Sequence, residues 1–189
     1  MTNTNISSHD RAAVQFVDTT AKLSLLMAVF GIIWCLCQWL VVVLLGQLDI
    51  VGWMRGEGLP IPAVFFWLDR HANALSVLML LLSIGFFAVS GGLFKRREWG
   101  RVGYVVCLLL VALANFAVVP LVDAVVVGLQ QVIPADFLSS PEGRELRVQL
   151  LVARWTMLLT TGAAALGVAV LHAWLAMKFH RADIRALFD

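Results

Sequence analysis

Four long apolar runs limit this chain more than any other feature. They cover about residues 23–48, 72–94, 102–129 and 150–177. Each exceeds the ~20 residues that an α-helix needs to cross a bilayer. In hydrocarbon every backbone N–H and C=O must find its partner within the segment, so runs of this kind become helices. The expectation is an all-α membrane protein: a four-helix transmembrane bundle forming one domain over residues 1–189. Composition agrees, with 61% hydrophobic and 14% charged residues, against roughly 25% charged in soluble domains. A disordered chain, a collagen-like fibre and a disulfide-stapled secreted module are excluded. The first run is too long for a signal-peptide core and lacks a convincing A-x-A-like site, so it reads as an uncleaved span.

Orientation follows from charge. Lys95-Arg96-Arg97-Glu98-Trp99-Gly100-Arg101 sits between the second and third runs with four cations. By the positive-inside rule this loop is cytoplasmic, and an even number of spans puts both termini there too. Nine cations then lie inside (Arg11, Lys22, Lys95, Arg96, Arg97, Arg101, Lys178, Arg181, Arg185) and five outside (Arg55, Arg70, Arg144, Arg147, Arg154).

Helix signals extend the spans. Ser140-Pro141-Glu142 supplies a cap, a first-position proline and an acidic first turn, which predicts one helix from about Pro141 through Met177 and slightly beyond. Pro62 predicts a helix start that lies in the interface or runs into the second span. The stretch Ser8 to Lys22 is mildly amphipathic and extends the first span or rests on the inner surface. A faint duplicated-hairpin pattern aligns Gln38-Trp39 with Asn115-Phe116.

Depth can be counted from the basic anchors at 1.5 Å per residue. Arg101 to Asp123 is 22 residues and Lys178 to Arg154 is 24, about 33 and 36 Å. With a hydrocarbon core of about 30 Å, both charges reach the outer interface, on helices joined by an outer hairpin. A contact between Asp123 and Arg154 is therefore predicted. Gln38, Asn73, Asn115, Thr160 and Thr161 fall in the outer half, where amides need partners on other helices. Gln38, Asn115, Asp123 and Arg154 form the candidate polar cluster, as glue between helices or as a small cavity. Arg144, Arg147 and Arg154 share one side of their helix, and are candidates for contact with an anionic lipid or an acidic partner. Ala88-xxx-Gly92 and Ala163-xxx-Gly167 predict close packing of the second and fourth spans, with each other or with a second copy.

Chemistry-bearing patterns are sparse. Cys35, Cys37 and Cys107 all lie inside apolar runs, whereas a disulfide-generating membrane enzyme needs cysteine pairs in its outer loops. The histidines do not pair at one depth as haem ligation requires. No zinc spacing, nucleophile elbow or phosphate-binding glycine loop occurs. No cofactor, metal or nucleic-acid partner is expected.

The segment Leu93 to Arg101 combines an apolar helix end, basic residues, then Trp, a small residue and Arg. It resembles a loop common in uncharacterised bacterial four-span inner-membrane proteins. The resemblance implies multi-pass insertion in the bacterial inner membrane and assigns no activity. The leading expectation is a non-enzymatic subunit of a membrane complex or a homo-oligomer, with the bilayer and other membrane subunits as partners. The alternative is a small transporter or channel using the outer-half polar residues. A lipid-modifying enzyme has only the arginine stripe and the Asp69/His71 pair in its favour.

Overall fold

A computed structural model describes residues 8–58 and 60–188. In chain order the helices are α1 (Ser8–Gln47), α2 (Ile50–Gly56), α3 (Ala63–Phe94), α4 (Glu98–Val132), α5 (Ala135–Ser139), α6 (Pro141–Phe179) and α7 (Ala182–Arg185). The described residues contain no strand. Helices α1, α3, α4 and α6 are long and apolar enough to cross a membrane, so the chain is an all-α, four-helix membrane protein. Their outward faces are apolar because the solvent there is hydrocarbon. Trp34, Leu81, Leu113 and Leu159 are all more than half exposed.

All four long helices run past the apolar spans. The Ser8 to Lys22 stretch is continuous with α1 rather than a separate surface helix. Pro62 immediately precedes α3, which runs without a break into the second span. Ser140 caps α6, its hydroxyl accepting the Gly143 N–H at 3.0 Å. Three short helices carry no clear sequence signal. Among them α2 is capped by Asp49, which adopts a left-handed conformation (φ 40°) and accepts the Gly52 N–H.

The chain divides into two compact units. The first contains the described residues up to Gln38, Val77–Val111 and those from Val170 onward. Its core brings together Val17 and Ala21 of α1, Leu93 of α3, Tyr104 and Leu108 of α4, and Phe179 of α6. Ile184 of α7 and Phe188 join it, so the C-terminal segment folds back onto the helices. Tyr104 meets Phe179 edge-on at 5.2 Å and stacks on Phe86 at 5.9 Å. Its hydroxyl is hydrogen-bonded to Ser24 at 2.8 Å.

The basic loop is built into this unit. Arg97 N–H reaches the Gly92 carbonyl and Arg96 N–H the Leu93 carbonyl, each at 3.0 Å. This is a Schellman closure of α3 with arginine at the left-handed position, where glycine is usual (φ 52°). Arg96 donates to Asp18 of α1 at 3.1 Å. Arg101, only 6% exposed, forks onto Glu98 and donates from Nη1 to the Phe179 carbonyl at 3.0 Å. It thereby satisfies a carbonyl at the end of α6 that has no partner within the helix. A Cβ on Gly100 would run into the Gly92 carbonyl carbon, and one on Gly92 would strike the Trp99 ring at 2.6 Å.

The second unit spans Trp39–Ser76 and Ala112–Ala169. Its buried apolar side chains among the described residues are Pro62, Val126 and Ala165. Gly128 of α4 lies close to α3, where a Cβ would lie 2.7 Å from Val64.

Small-residue packing of the second span on the fourth needs correction. Gly92 packs on Trp99 and the start of α4, not on α6, because the tight α3–α4 turn occupies that face. A Cβ added at Gly162 or Gly167 would meet nothing within 4 Å, and Ala163 is exposed, so this face of α6 makes no close contact among the described residues.

Candidate functional site

Asp123 and Arg154 meet inside the second unit. Pro120 lies one turn before Asp123 in α4, and Arg154 stands on the first half of α6. Arg154 Nε donates to Asp123 Oδ1 at 2.6 Å and Nη2 to Oδ2 at 3.0 Å. The two parallel bonds match the planar guanidinium to the carboxylate. About one-third of each side chain is exposed, 32% for Arg154 and 34% for Asp123.

Beside this pair lies a groove of about 690 Å3. Arg154 and Arg147 line it from α6, with Gln130 of α4 and Ser139 of α5. Ile133, Leu138, Leu150 and Leu151 form its apolar wall. Ser139 donates its hydroxyl to the Asp136 carbonyl at 2.7 Å, leaving its oxygen lone pairs as acceptors. Arg147 has neither an ion pair nor a hydrogen bond to another side chain among the described residues. Glu145, the nearest carboxylate in sequence, accepts instead from Gln149 at 3.3 Å.

The sequence-predicted residues therefore separate. Arg147 and Arg154 share the groove, whereas Arg144 is exposed and is not part of its lining. Asn115 is half-buried in the same unit. Gln38 belongs to the first unit and is exposed, contrary to the expectation that it faces a neighbouring helix. The reason lies in α1, where Cys35 is the last buried residue and Gln38 stands beyond the packed stretch. Gln130, Ile133, Leu138 and Ser139 gave no functional signal in sequence. They join the groove because the short helix α5 turns the chain back before α6.

Two other features bear on chemistry. His71 engages the Trp67 carbonyl through Nδ1 at 2.8 Å and stacks on the Trp67 ring at 4.8 Å, so its ring is held by Trp67 one turn earlier rather than by Asp69. In the first unit, a mainly apolar cavity of about 530 Å3 is lined by Ser24, Tyr104, Cys107 and His172 among others.

No protein-family model matches the chain, and no curated protein or solved structure is detectably similar to it.

Proposed function

We propose that the protein is a non-enzymatic, multi-pass protein of the bacterial inner membrane that serves as a subunit of a membrane assembly, a homo-oligomer being the simplest form. One observation carries this reading. Gln38 is exposed on an apolar helix, and its carboxamide has no hydrogen-bond partner among the described residues. Met27 and Trp34, 64% and 71% exposed, share its face of α1 by helical spacing. An amide turned toward hydrocarbon loses the hydrogen bonds that water would give it. In membranes such groups join helices, and a carboxamide offers both donors and an acceptor to a second helix. Two copies of Gln38 across a two-fold axis can satisfy each other.

The Lys95 to Arg101 segment supports the inner-membrane assignment, with that loop and both termini cytoplasmic. The transporter or channel alternative draws on Asp123 and Arg154. That pair is closed on itself by two hydrogen bonds, which favours the subunit reading.

Disulfide trapping in native membranes tests it. With Cys35, Cys37 and Cys107 replaced by alanine, Gln38→Cys should form an adduct with a second copy or with another membrane protein. Leu159→Cys, on an equally apolar face of α6, should not. A chain that stays monomeric on mild extraction and forms no adduct at position 38 refutes the subunit reading.

A further inference from the structure

We propose that the groove between Arg147 and Arg154 is a binding site for one phospholipid with a net-negative headgroup. Arg154 commits Nε and Nη2 to Asp123, which fixes the guanidinium and leaves Nη1 outside that fork. Asp123 offsets the charge of Arg154, while no side chain among the described residues offsets Arg147. The groove therefore carries one uncompensated positive charge. Gln130 adds an amide that can donate, and the Ser139 oxygen, whose proton goes to the Asp136 carbonyl, can accept from a headgroup hydroxyl.

The opposite requirement, an apolar tail, is met by Ile133, Leu138, Leu150 and Leu151. A volume of about 690 Å3 falls in the roughly 300–1,000 Å3 range of small-molecule sites. It is far larger than an inorganic phosphate needs. Depth agrees. Along the continuous helix α6, Arg154 stands about 36 Å from Lys178, beyond a hydrocarbon core of about 30 Å. Arg147 is two turns further on. A lipid phosphate at the membrane surface meets both guanidinium groups, and its glycerol and first acyl carbons lie along Leu150 and Leu151, which stand between the two arginines on α6. Arginine is the side chain best suited to this, because its donors fit a phosphate in pairs.

Native mass spectrometry of the full-length, delipidated protein in detergent tests the site. Phosphatidylglycerol, phosphatidylcholine with the same acyl chains, and inorganic phosphate serve as probes. The expected result is one retained phosphatidylglycerol, bound at least tenfold more weakly by Arg147→Gln and unchanged by Arg144→Gln, whose arginine lies outside the groove. Excess inorganic phosphate should not displace it. Equal binding by wild type and Arg147→Gln overturns the proposal. So does an Arg144→Gln loss of the same size, equal retention of phosphatidylcholine, or full displacement by inorganic phosphate. An unchanged thermal midpoint for Arg147→Gln assigns its loss of lipid to the groove, and restored binding in Arg147→Lys supports the charge requirement. None of these readouts depends on the oligomeric state.

Discussion

Arg96 holds a backbone conformation that a side chain resists. Its φ of 52° places it in the left-handed region, at a cost of roughly 1 kcal/mol relative to glycine. The position is fixed from both sides: the Schellman bonds close α3, and the guanidinium is tied to Asp18. An exposed ion pair of this kind contributes about 0.5 kcal/mol. Arg96→Gly should therefore leave stability unchanged or raise it slightly, while Arg96→Ala, which keeps the strain and loses the pair, should lower it. Thermal unfolding in detergent, followed by tryptophan fluorescence, distinguishes the two. The cations of this loop were legible in sequence as a group. Their separate roles were not, because charge patterning cannot show that Arg96 meets a residue 78 positions earlier or that Arg101 meets a carbonyl 78 positions later.

At the scale of elements, spacing of small residues was an ambiguous guide. Gly92 and Gly167 occur in the same kind of pattern, yet one is packed against Trp99 and the other faces open space. Gly100, which the pattern did not single out, is the tightest point of the α3–α4 turn. Gly100→Ala should cost about 2 kcal/mol or more, since backbone atoms of α3 cannot move aside as a side chain can. Gly167→Leu should leave the unfolding midpoint of the isolated chain unchanged. Equal losses for the two variants would show that the α6 face is packed after all. The long helices were readable because hydrophobic length, capping and proline position all agreed for them. The start of α6 at Pro141 is the clearest case. Helices α5 and α7, of five and four residues, are too short to carry a period. Tertiary contacts hold them: Phe137 of α5 lies against Gly143, and Ile184 of α7 lies in the core. The same limit hid half of the groove. Its arginines were visible as a helical stripe, but its floor comes from residues around α5.

Across the whole molecule, buried apolar side chains concentrate in the first unit, where the basic loop, both described chain ends and the aromatic cluster meet. The second unit has few. In hydrocarbon this is no defect, since lipid tails cover apolar faces as well as protein does. Hydrogen exchange of amides should accordingly be slowest in the first unit near Tyr104 and Phe179, and faster around α2 and α5. The orientation is open to direct measurement. In a cysteine-free background, Ser139→Cys should react with an impermeant maleimide added outside intact cells, and Glu98→Cys only after permeabilisation. Labelling of Glu98→Cys from outside would reverse the orientation.

Arg101 also imposes an order in time. Its bond to the Phe179 carbonyl joins residues 78 positions apart. At ribosomal rates of roughly 5–20 residues per second, that separation takes about 4–16 s to synthesise. During that interval the nascent chain has its central hairpin but not the acceptor at the end of α6, nor the Ile184 and Phe188 side chains that complete the core. Closure of this unit is therefore a late event in biogenesis, after all four spans have left the ribosome.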